Sequence, residues 1–400
     1  MKITYNHIRF FLILVSVTIP LLIILADYFS LDIVWRLFRF GHMVPMFGDL
    51  RTIPTLEFYD GIRENIDIDP WGRPYNYPEV WIYVFTFISF IFDPYIFFGT
   101  FQLIIYPIMF WKMSSYFIDL KSLLYFTALY FSPPILLLLE RGNNDGIVFL
   151  IVLMATITAN KLFKGTLLSL AIGLKLFPIL GLIGIHRWFD KKFIFGMMIF
   201  LPLIIWSIFD VFQIITNTPV GSIVSYGTKS ITVTICELNG KVNINQFCNV
   251  NFINISLILF FLFLSYILIF FRKKNINVLI NKMKYKLNHT EIFFVFSAIF
   301  VGTLLLYGNY SYRLVFLLPA ITVVIINFQL PTWRKNKFVF ELLVLAIMLY
   351  LSPFIPKIGW YLPQAFAFIL GVYFFSVIIL HLLNKFDYWF RNQKYLDKTT

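Results

Sequence analysis

The stretch FINISLILFFLFLSYILIFFRKK at residues 252–274 decides the fold class. Residues 252–271 form an apolar block without a charged side chain, and Arg272, Lys273 and Lys274 follow it directly. A helix of about 20 apolar residues spans the hydrocarbon core of a bilayer. Basic residues concentrate in the cytoplasmic loops next to such helices. The stretch therefore predicts a transmembrane helix that ends in the cytoplasm.

The composition of the whole chain agrees with this reading. Of its 400 residues, 60% are hydrophobic and only 13% are charged, and the mean hydropathy is +0.81. Soluble domains carry about 25% charged residues. The net charge of +13 resides largely in loops between apolar blocks, which is typical of membrane proteins rather than of nucleic-acid-binding proteins. The composition thus predicts an all-α integral membrane protein and excludes an ordinary soluble domain.

Apolar blocks recur along the sequence and predict a bundle of about 11–12 hydrophobic helices. They form one integral domain that covers residues 1–400. The blocks lie at 8–28, 78–92, 95–111, 120–139, 146–160, 165–186, 193–210, 252–271, 291–307, 313–330, 338–352 and 360–382. No small-residue cleavage site follows the first block, so we expect an uncleaved anchor rather than a signal peptide.

The basic loops orient the bundle. Four segments rich in Lys and Arg are predicted to be cytoplasmic: 187–192, 272–290, 331–337 and the tail 383–400. Two long polar segments, 29–77 and 211–251, then lie outside, and the first is the predicted catalytic loop. The second holds both cysteines of the chain, Cys236 and Cys248. An oxidising exterior allows them to pair, but the sequence alone leaves the pairing open.

Two arrangements of the five blocks between residues 78 and 186 connect the external segment 29–77 with the cytoplasmic segment 187–192. In the first, all five cross the membrane, which puts the turn 141–145 inside and Lys161 and Lys164 outside. In the second, block 78–92 does not cross and one later block is re-entrant, which puts the turn outside and these lysines inside. The second arrangement fits the distribution of basic residues better.

The first external segment carries the candidate catalytic acid. Its acidic residues are Asp32, Asp49, Glu57, Asp60, Glu64, Asp67 and Asp69. A carboxylate at the membrane surface can act as a general base, because a lowered local dielectric tunes its pKa. Asp49 differs from the others in having Arg51 beside it. The plain alternative for each acid is a solvated loop residue.

Three further motifs place polar residues at or inside apolar blocks. The turn ERGNND at 140–145 puts charges at the bilayer edge, where they are expensive and tend to be functional. Lys175, in GLKLFP at 173–178, needs an anionic partner such as a phosphate, and Arg313 opens a block after the turn 307–312. The plain alternatives are an ordinary turn, a snorkelling lysine and an interfacial arginine anchor.

No sequence motif indicates a cofactor. The five histidines are scattered, and the chain has no HExxH, paired-cysteine, Walker A or GxGxxG motif. These absences argue against an ATP-driven pump and against a nucleotide-sugar enzyme of the Rossmann type. The sequence leaves a divalent metal open.

The order of these motifs resembles the GT-C class of polytopic glycosyltransferases. Four stretches are similar to motifs of its family-87 group, the PimE-like polyprenyl-phosphate-mannose-dependent mannosyltransferases: Asp49-Leu50-Arg51, Pro70-Trp71, Asn76-Tyr77-Pro78 and Lys175-Leu176-Phe177-Pro178. The turn at 141–145 also resembles the Arg-Gly-Asn-Ala-Glu/Asp turn of the first GPI mannosyltransferase. The resemblance covers about residues 10–330, with Trp71 in place of a Tyr and Glu79 in place of a second Pro.

The resemblance implies a GT-C-like bundle that acts on the outer face of the plasma membrane. It would move a hexose, with mannose as the first candidate, from a polyprenyl-phosphate-sugar donor to the hydroxyl of a lipid- or glycan-linked acceptor. Asp49 would be the general base. The implied substrate-binding residues are Arg51, Tyr77, Arg141, Asn143, Asp145, Lys175 and Arg313. Among these, Arg141, Lys175 and Arg313 are candidate phosphate ligands, because basic side chains stabilise a leaving phosphate without a metal.

Two other classes of polytopic membrane protein are alternatives to a glycosyltransferase. O-antigen and capsule polymerases typically carry essential arginines in a late external loop, whereas segment 211–251 contains no Arg. Lipid or solute transporters often show repeated halves with matching broken helices, and no such symmetry is visible in the sequence. We expect a membrane environment and no nucleic-acid partner in all three cases.

Overall fold

The computed structural model shows an almost wholly helical protein. The residues that it describes are 5–29, 47–55, 77–185, 190–210, 225–238, 250–283, 287–306, 309–327, 336–354 and 361–396. Over these residues the predicted all-α membrane fold class is confirmed. The strands described are two-residue segments, β1 (Ser225–Tyr226) and β2 (Asn309–Tyr310), which pair antiparallel.

Helices follow one another with short connections along the described chain. Those before residue 211 are α1 (Tyr5–Tyr28), α2 (Val80–Ser89), α3 (Pro94–Ser114), α4 (Leu120–Tyr130), α5 (Pro133–Arg141), α6 (Asp145–Ile157), α7 (Lys161–Leu174), α8 (Lys191–Ile199) and α9 (Leu201–Phe209). Those after it are α10 (Thr228–Leu238), α11 (Val250–Met283), α12 (Leu287–Leu306), α13 (Leu318–Asn327), α14 (Lys337–Leu351) and α15 (Leu362–Leu396). Short 3-10 helices lie at Leu50–Thr52, Phe177–Gly184, Ser311–Phe316 and Ser352–Phe354.

Five of the described helices are long and apolar enough to cross a membrane, and two bent pairs raise the number to seven. The five spans lie in α1, α3, α11, α12 and α15. In α12, 67% of the most apolar window is buried inside the protein, whereas in α11 the figure is 11%. α12 therefore lies in the core of the bundle, and the apolar surface of α11 needs lipid around it.

The block at 78–92 is a short helix. α2 has ten residues, so it is about 15 Å long, half of the roughly 30 Å of a bilayer core. Asp93 ends this block and begins α3, because its carboxylate accepts hydrogen bonds from the backbone N–H groups of Tyr95 and Ile96. The length of α2 fits the arrangement in which this block does not cross the membrane.

Two blocks predicted as single hydrophobic helices are bent pairs. The axis turns by 45° between α4 and α5 and by 55° between α8 and α9. Pro133 and Pro134 follow the first break, and Pro202 follows the second. Proline lacks the backbone N–H that would continue the preceding helix and clashes with its carbonyl, so each block breaks at this point.

The block at 165–186 does not form one span either. α7 ends at Leu174, and the 3-10 helix Phe177–Gly184 runs back along α12 in the opposite direction. A Cβ added to Gly302 would meet the side chain of Leu180, and one added to Gly184 would meet the backbone of Val295. The chain thus moves from the C-terminal half of α12 towards its start as the residue number rises from 180 to 184.

Both ends of this block lie at the same end of the bundle. The Lys161 ammonium, at the start of α7, forms an ion pair with Asp190, just before α8. Lys164 pairs with Glu291 near the start of α12. This is the geometry of a re-entrant segment, which the second of the two predicted arrangements requires.

A further contact brings together the residues next to two of the basic turns at that same end. Asn336, before α14, donates to the carbonyl of Asn275 near the end of α11 at 3.2 Å. The turn 141–145 lies at the opposite end, because the thirteen residues of α6 separate it from Lys161. Both arrangements separate the turn from these lysines. The ion pair of Lys161 with Asp190, which belongs to the basic segment 187–192, agrees with the second arrangement, because only that one puts the lysines at the end of the basic loops.

Two segments outside the predicted helical blocks are partly helical. The tail predicted at 383–400 is helical as far as Leu396, because α15 continues through it without a break. α10 lies within the predicted external segment 211–251, and its residue Cys236 is disulfide-bonded. Cys248, the other cysteine of the chain, lies outside the described residues.

Candidate functional site

The segment that carries Asp49 binds to the turn between α5 and α6. The backbone N–H of Phe47 donates to the carbonyl of Glu140, and that of Asp49 donates to the carbonyl of Arg141, each at 3.1 Å. Gly142 has φ of +59°, and a Cβ at this position would lie 2.8 Å from the Phe47 side chain. Glycine is therefore needed here both for its backbone conformation and for the close approach of the two segments.

Asp49 is a buried carboxylate held by two groups of this turn. Its side chain accepts a hydrogen bond of 2.8 Å from Asn143 Nδ2 at Oδ2, and Arg141 Nη1 lies 3.6 Å from Oδ1. The hydroxyl of Thr52 donates to the backbone carbonyl of Asp49 at 2.7 Å, which fixes the backbone as well. A carboxylate accepts about four hydrogen bonds, so both oxygens keep capacity for a further donor.

Asn143 connects Asp49 to the start of α6. Its Oδ1 accepts a hydrogen bond from the backbone N–H of Asp145 at 2.9 Å. Its Nδ2, besides donating to Asp49, lies 3.4 Å from the Tyr77 hydroxyl. Both ends of this buried amide are therefore used, so Asn143 sets the distance between Asp49 and the helix.

Asp145 pairs with two basic residues from distant parts of the chain. Its Oδ1 accepts a hydrogen bond from Lys175 Nζ, and its Oδ2 accepts one of 2.8 Å from Arg313 Nε. Asp145 itself is fully buried. In this structure Asp145 is therefore the buried partner of two cations.

Tyr77 lies between the two carboxylates. Its ring faces Lys175 Nζ, which is 4.9 Å from the ring centroid. Burial, followed by the negative charges of Asp49 and Asp145, raises the pKa of the Tyr77 phenol above its usual range. The phenol therefore stays protonated and acts as a hydrogen-bonding group rather than as a base.

The basic side chains differ in their access to solvent. Arg141 is 25% exposed, compared with 18% for Arg313 and 8% for Lys175. Arg51 is half-buried, with its guanidinium 5.4 Å from the centre of the Tyr95 ring. An anion that approaches the site thus meets Arg141 before it meets Lys175.

The charges of the site nearly balance. The acidic side chains are Asp49, Glu140 and Asp145, and the basic ones are Arg51, Arg141, Lys175 and Arg313. Opposite charges are paired within the protein, which a buried cluster in a membrane requires. The remaining positive charge favours a ligand that carries a negative one.

All eight residues predicted for the site lie in the described part of the chain and surround this turn, with Arg51 at its edge. Some predicted acids cannot be placed, because they lie outside the described residues: Asp32, Glu57, Asp60, Glu64, Asp67 and Asp69. The same holds for Pro70-Trp71 and for Asn76.

Three residues of the site were not among the predicted ones. Thr52 supports Asp49, and Gln102 Nε2 donates to the carbonyl of Gly142 at 3.1 Å. A Cβ added to Gly146 would come within 2.1 Å of Gln102 Oε1, so this amide packs tightly against the start of α6. The signal for Gln102 was a lone amide inside the apolar helix α3. Asn144 is buried, and neither polar atom of its side chain has a hydrogen-bond partner within the described part of the chain.

The residues that the structure describes offer no evident metal site. Among them, no group of three or more His, Cys, Asp or Glu side chains is placed to hold a metal ion. The two oxygens of Asp145 are already engaged by cationic side chains.

Comparison with other proteins adds no relative. No protein-family model matches the chain, and no curated protein or solved structure is significantly similar to it. A functional assignment must therefore come from the residues and their geometry.

Proposed function

We propose that the protein is a membrane glycosyltransferase. It transfers a hexose from a polyprenyl-phosphate-sugar to an acceptor hydroxyl on the extracytoplasmic face, and Asp49 is the general base. The observation that supports this most is the meeting of Asp49, Asn143 and Lys175 in one buried polar site. They come from sequence motifs far apart in the chain, and a membrane protein retains such a cluster mainly for function.

The proposed reaction is a displacement at the anomeric carbon. The Asp49 carboxylate takes the proton of the acceptor hydroxyl as its oxygen forms a bond to that carbon. The bond between the carbon and the phosphate oxygen breaks, and the polyprenyl phosphate leaves with the electron pair. Attack opposite to the leaving group inverts the configuration. Asn143 holds one oxygen of Asp49 at 2.8 Å, which orients the base for this step.

The basic residues stabilise the charge of the leaving phosphate. Arg141 is the most exposed of the three cations around the two carboxylates, so we assign it direct contact with the phosphate. Lys175 and Arg313 are held by Asp145 just beneath and contribute their positive field at short range. In a site of low dielectric such fixed charges are worth more than in water.

Two features at the ends of the bundle support an external site. Basic loops lie at the end that holds Lys161 and Lys164, which fits the cytoplasm. α10 lies near the opposite end, since Thr228 donates to the carbonyl of Leu305 late in α12. Cys236 of α10 is disulfide-bonded, and structural disulfides belong to oxidising compartments. Both features favour a plasma-membrane protein with an external active site.

The first test uses purified protein in detergent with a membrane-lipid extract as acceptor. Radiolabelled polyprenyl-phosphate mannose, glucose and galactose are supplied in parallel with the corresponding nucleotide sugars. We expect transfer from a polyprenyl-phosphate sugar and none from a nucleotide sugar. Transfer from nucleotide sugars alone would refute the donor class. If no sugar is transferred but labelled lipid moves across reconstituted vesicles, the protein is a transporter instead.

A further inference from the structure

α7 ends in the interior of the bundle, directly before Lys175. The Lys175 N–H still bonds the carbonyl of Ala171 at 3.0 Å, but its backbone is extended, with φ of −156° and ψ of 131°. The last carbonyls of a helix have no partner within the helix. In a membrane protein such groups are costly unless another part of the protein satisfies them.

Two buried side chains satisfy the carbonyls next to the break. Trp81 Nε1 donates to the carbonyl of Leu174 at 2.9 Å, and the Ser207 hydroxyl donates to the carbonyl of Gly173. Trp81 and Ser207 are each only 1% exposed, so bulk water has no access to replace either donor. The end of α7 is therefore capped by the protein itself.

The two donors belong to different helices that meet around the end of α7. Trp81 lies in α2 and Ser207 in α9. The two helices are joined at their ends, because the backbone N–H of Glu79 donates to Asp210 Oδ2 at 3.0 Å. The helix α2, which is too short to cross the bilayer, thus supplies one of the two donors that cap the end of α7.

Lys175 depends on this arrangement for its direction. The φ of Lys175 is −156°, whereas residues in an α-helix have φ of about −63°, so its side chain leaves the backbone in a different direction from that of a helical residue. In this direction its ammonium pairs with Asp145. The same α2 segment begins just after Tyr77, whose ring faces Lys175 Nζ.

From these contacts we infer that Trp81 and Ser207 are positioning residues that end α7 at Leu174 and thereby hold Lys175 against Asp145. The inference about the position of Lys175 stands on the contacts alone. Only its consequence for sugar transfer rests on the proposed function.

The position of Lys175 can be measured without any assay of activity. The full-length protein in detergent is treated with an amine-reactive ester, and the labelled fraction of each lysine is read by mass spectrometry. Lys191 and Lys192 are exposed and serve as internal references. In the wild type we expect Lys175 to be labelled far more slowly than these two, because it is buried and paired.

Removal of either donor should expose Lys175. Trp81→Phe keeps a ring but loses the N–H, and Ser207→Ala loses only the hydroxyl. We expect each to raise the labelling rate of Lys175 at least threefold while the rates of Lys191 and Lys192 stay constant. Ser207→Thr keeps a hydroxyl and should keep Lys175 protected. Trp206→Phe is the matched control, because Trp206 is partly exposed in the same helix and lies against Tyr83.

Kinetics then connect the inference to the proposed reaction. If Lys175 supports binding of the phosphate in both ground and transition state, Trp81→Phe should raise KM for the polyprenyl-phosphate sugar several-fold and change kcat less. If the protein transfers no sugar at all, the proposed function fails, but the labelling result still decides the role of Trp81 and Ser207.

Two outcomes would overturn the inference. One is unchanged protection of Lys175 in both Trp81→Phe and Ser207→Ala at the melting temperature of the wild type. The other is an equal rise in Trp206→Phe or across all buried lysines, which would indicate general loosening. If Trp81→Phe does not fold, the labelling rate of Lys175 in the smaller variant Ser207→Ala decides between these outcomes.

Discussion

At the scale of single residues, Asn143 joins the two halves of the site. It donates to Asp49 and accepts from the backbone of Asp145, so neither contact survives its removal. We expect Asn143→Ala to lower kcat for sugar transfer about 10²-fold, because a misplaced base loses its alignment. Asn160→Ala is the control, since Asn160 caps α7 at the remote end. Equal kcat in the wild type and Asn143→Ala would show that Asn143 does not orient the base.

Tyr77 gives a prediction on pH dependence. Burial raises the pKa of its phenol, so the group stays neutral throughout the pH range in which sugar transfer would be assayed. The alkaline limb of the rate profile should therefore be the same in the wild type and in Tyr77→Phe, up to about pH 10, the usual pKa of tyrosine. An alkaline limb that disappears in Tyr77→Phe would show that the phenol ionises, contrary to this expectation.

The sequence revealed which residue types belong to the site but not how they pair. Asp49, Asn143 and Lys175 stood in recognisable motifs. The hydrogen bond from Asn143 to Asp49 joins residues that are 94 positions apart in the sequence. Local sequence patterns do not predict a contact between residues so far apart. Trp81 was hidden for another reason: a tryptophan in an apolar block is usual, and only its buried N–H gives it a role.

At the scale of helices, α7 contributes to two ion pairs that differ in their exposure to solvent. Lys164 and Glu291 are both buried, whereas the Lys161–Asp190 pair is partly exposed. Removal of one partner of a buried pair leaves an uncompensated charge and destabilises by about 3–5 kcal/mol. We therefore expect Glu291→Gln to lower the melting temperature in detergent clearly.

The matched change at the other pair should have little effect. Asp190→Asn removes a carboxylate that lies in a solvent-accessible turn, where ion pairs are screened. The comparison needs only thermal unfolding curves of the two variants and the wild type. A larger fall in melting temperature for Asp190→Asn than for Glu291→Gln would contradict the buried position of the Lys164–Glu291 pair between α7 and α12.

Apolar blocks predicted the helices well, but not their breaks. The bends after α4 and α8 coincide with Pro133, Pro134 and Pro202, so the signal was present in the sequence. The reversal at Lys175 carries weaker signals, a lysine and then Pro178. Hydropathy is the same for a span and for a hairpin of equal length, and only the contacts with α12 separate them.

At the scale of the whole molecule, the two ends of the bundle should face different compartments. In a background with both cysteines changed to serine, Thr55→Cys lies beside the segment that carries Asp49, and Ala159→Cys lies in the turn before α7. A membrane-impermeant maleimide added to intact cells should label Thr55→Cys directly. It should label Ala159→Cys only after permeabilisation.

The opposite pattern would place the site in the cytoplasm and exclude an external donor. Labelling of both positions in intact cells would mean that the membrane does not separate these two ends. The experiment also distinguishes the two arrangements of the middle blocks, because the first puts the turn before α7 on the outside.

The central claim is that Asp49 is the base of a sugar transfer. Its most direct test compares transfer by Asp49→Asn with transfer by the wild type, at equal melting temperature and with the donor that the wild type accepts. Asp93→Asn is the control, because Asp93 is an exposed helix cap and Asn also caps helices well. We predict a loss of about 10²–10⁴-fold in kcat for Asp49→Asn and wild-type rates for Asp93→Asn. Equal rates in Asp49→Asn and the wild type would contradict the assignment of Asp49 as the base.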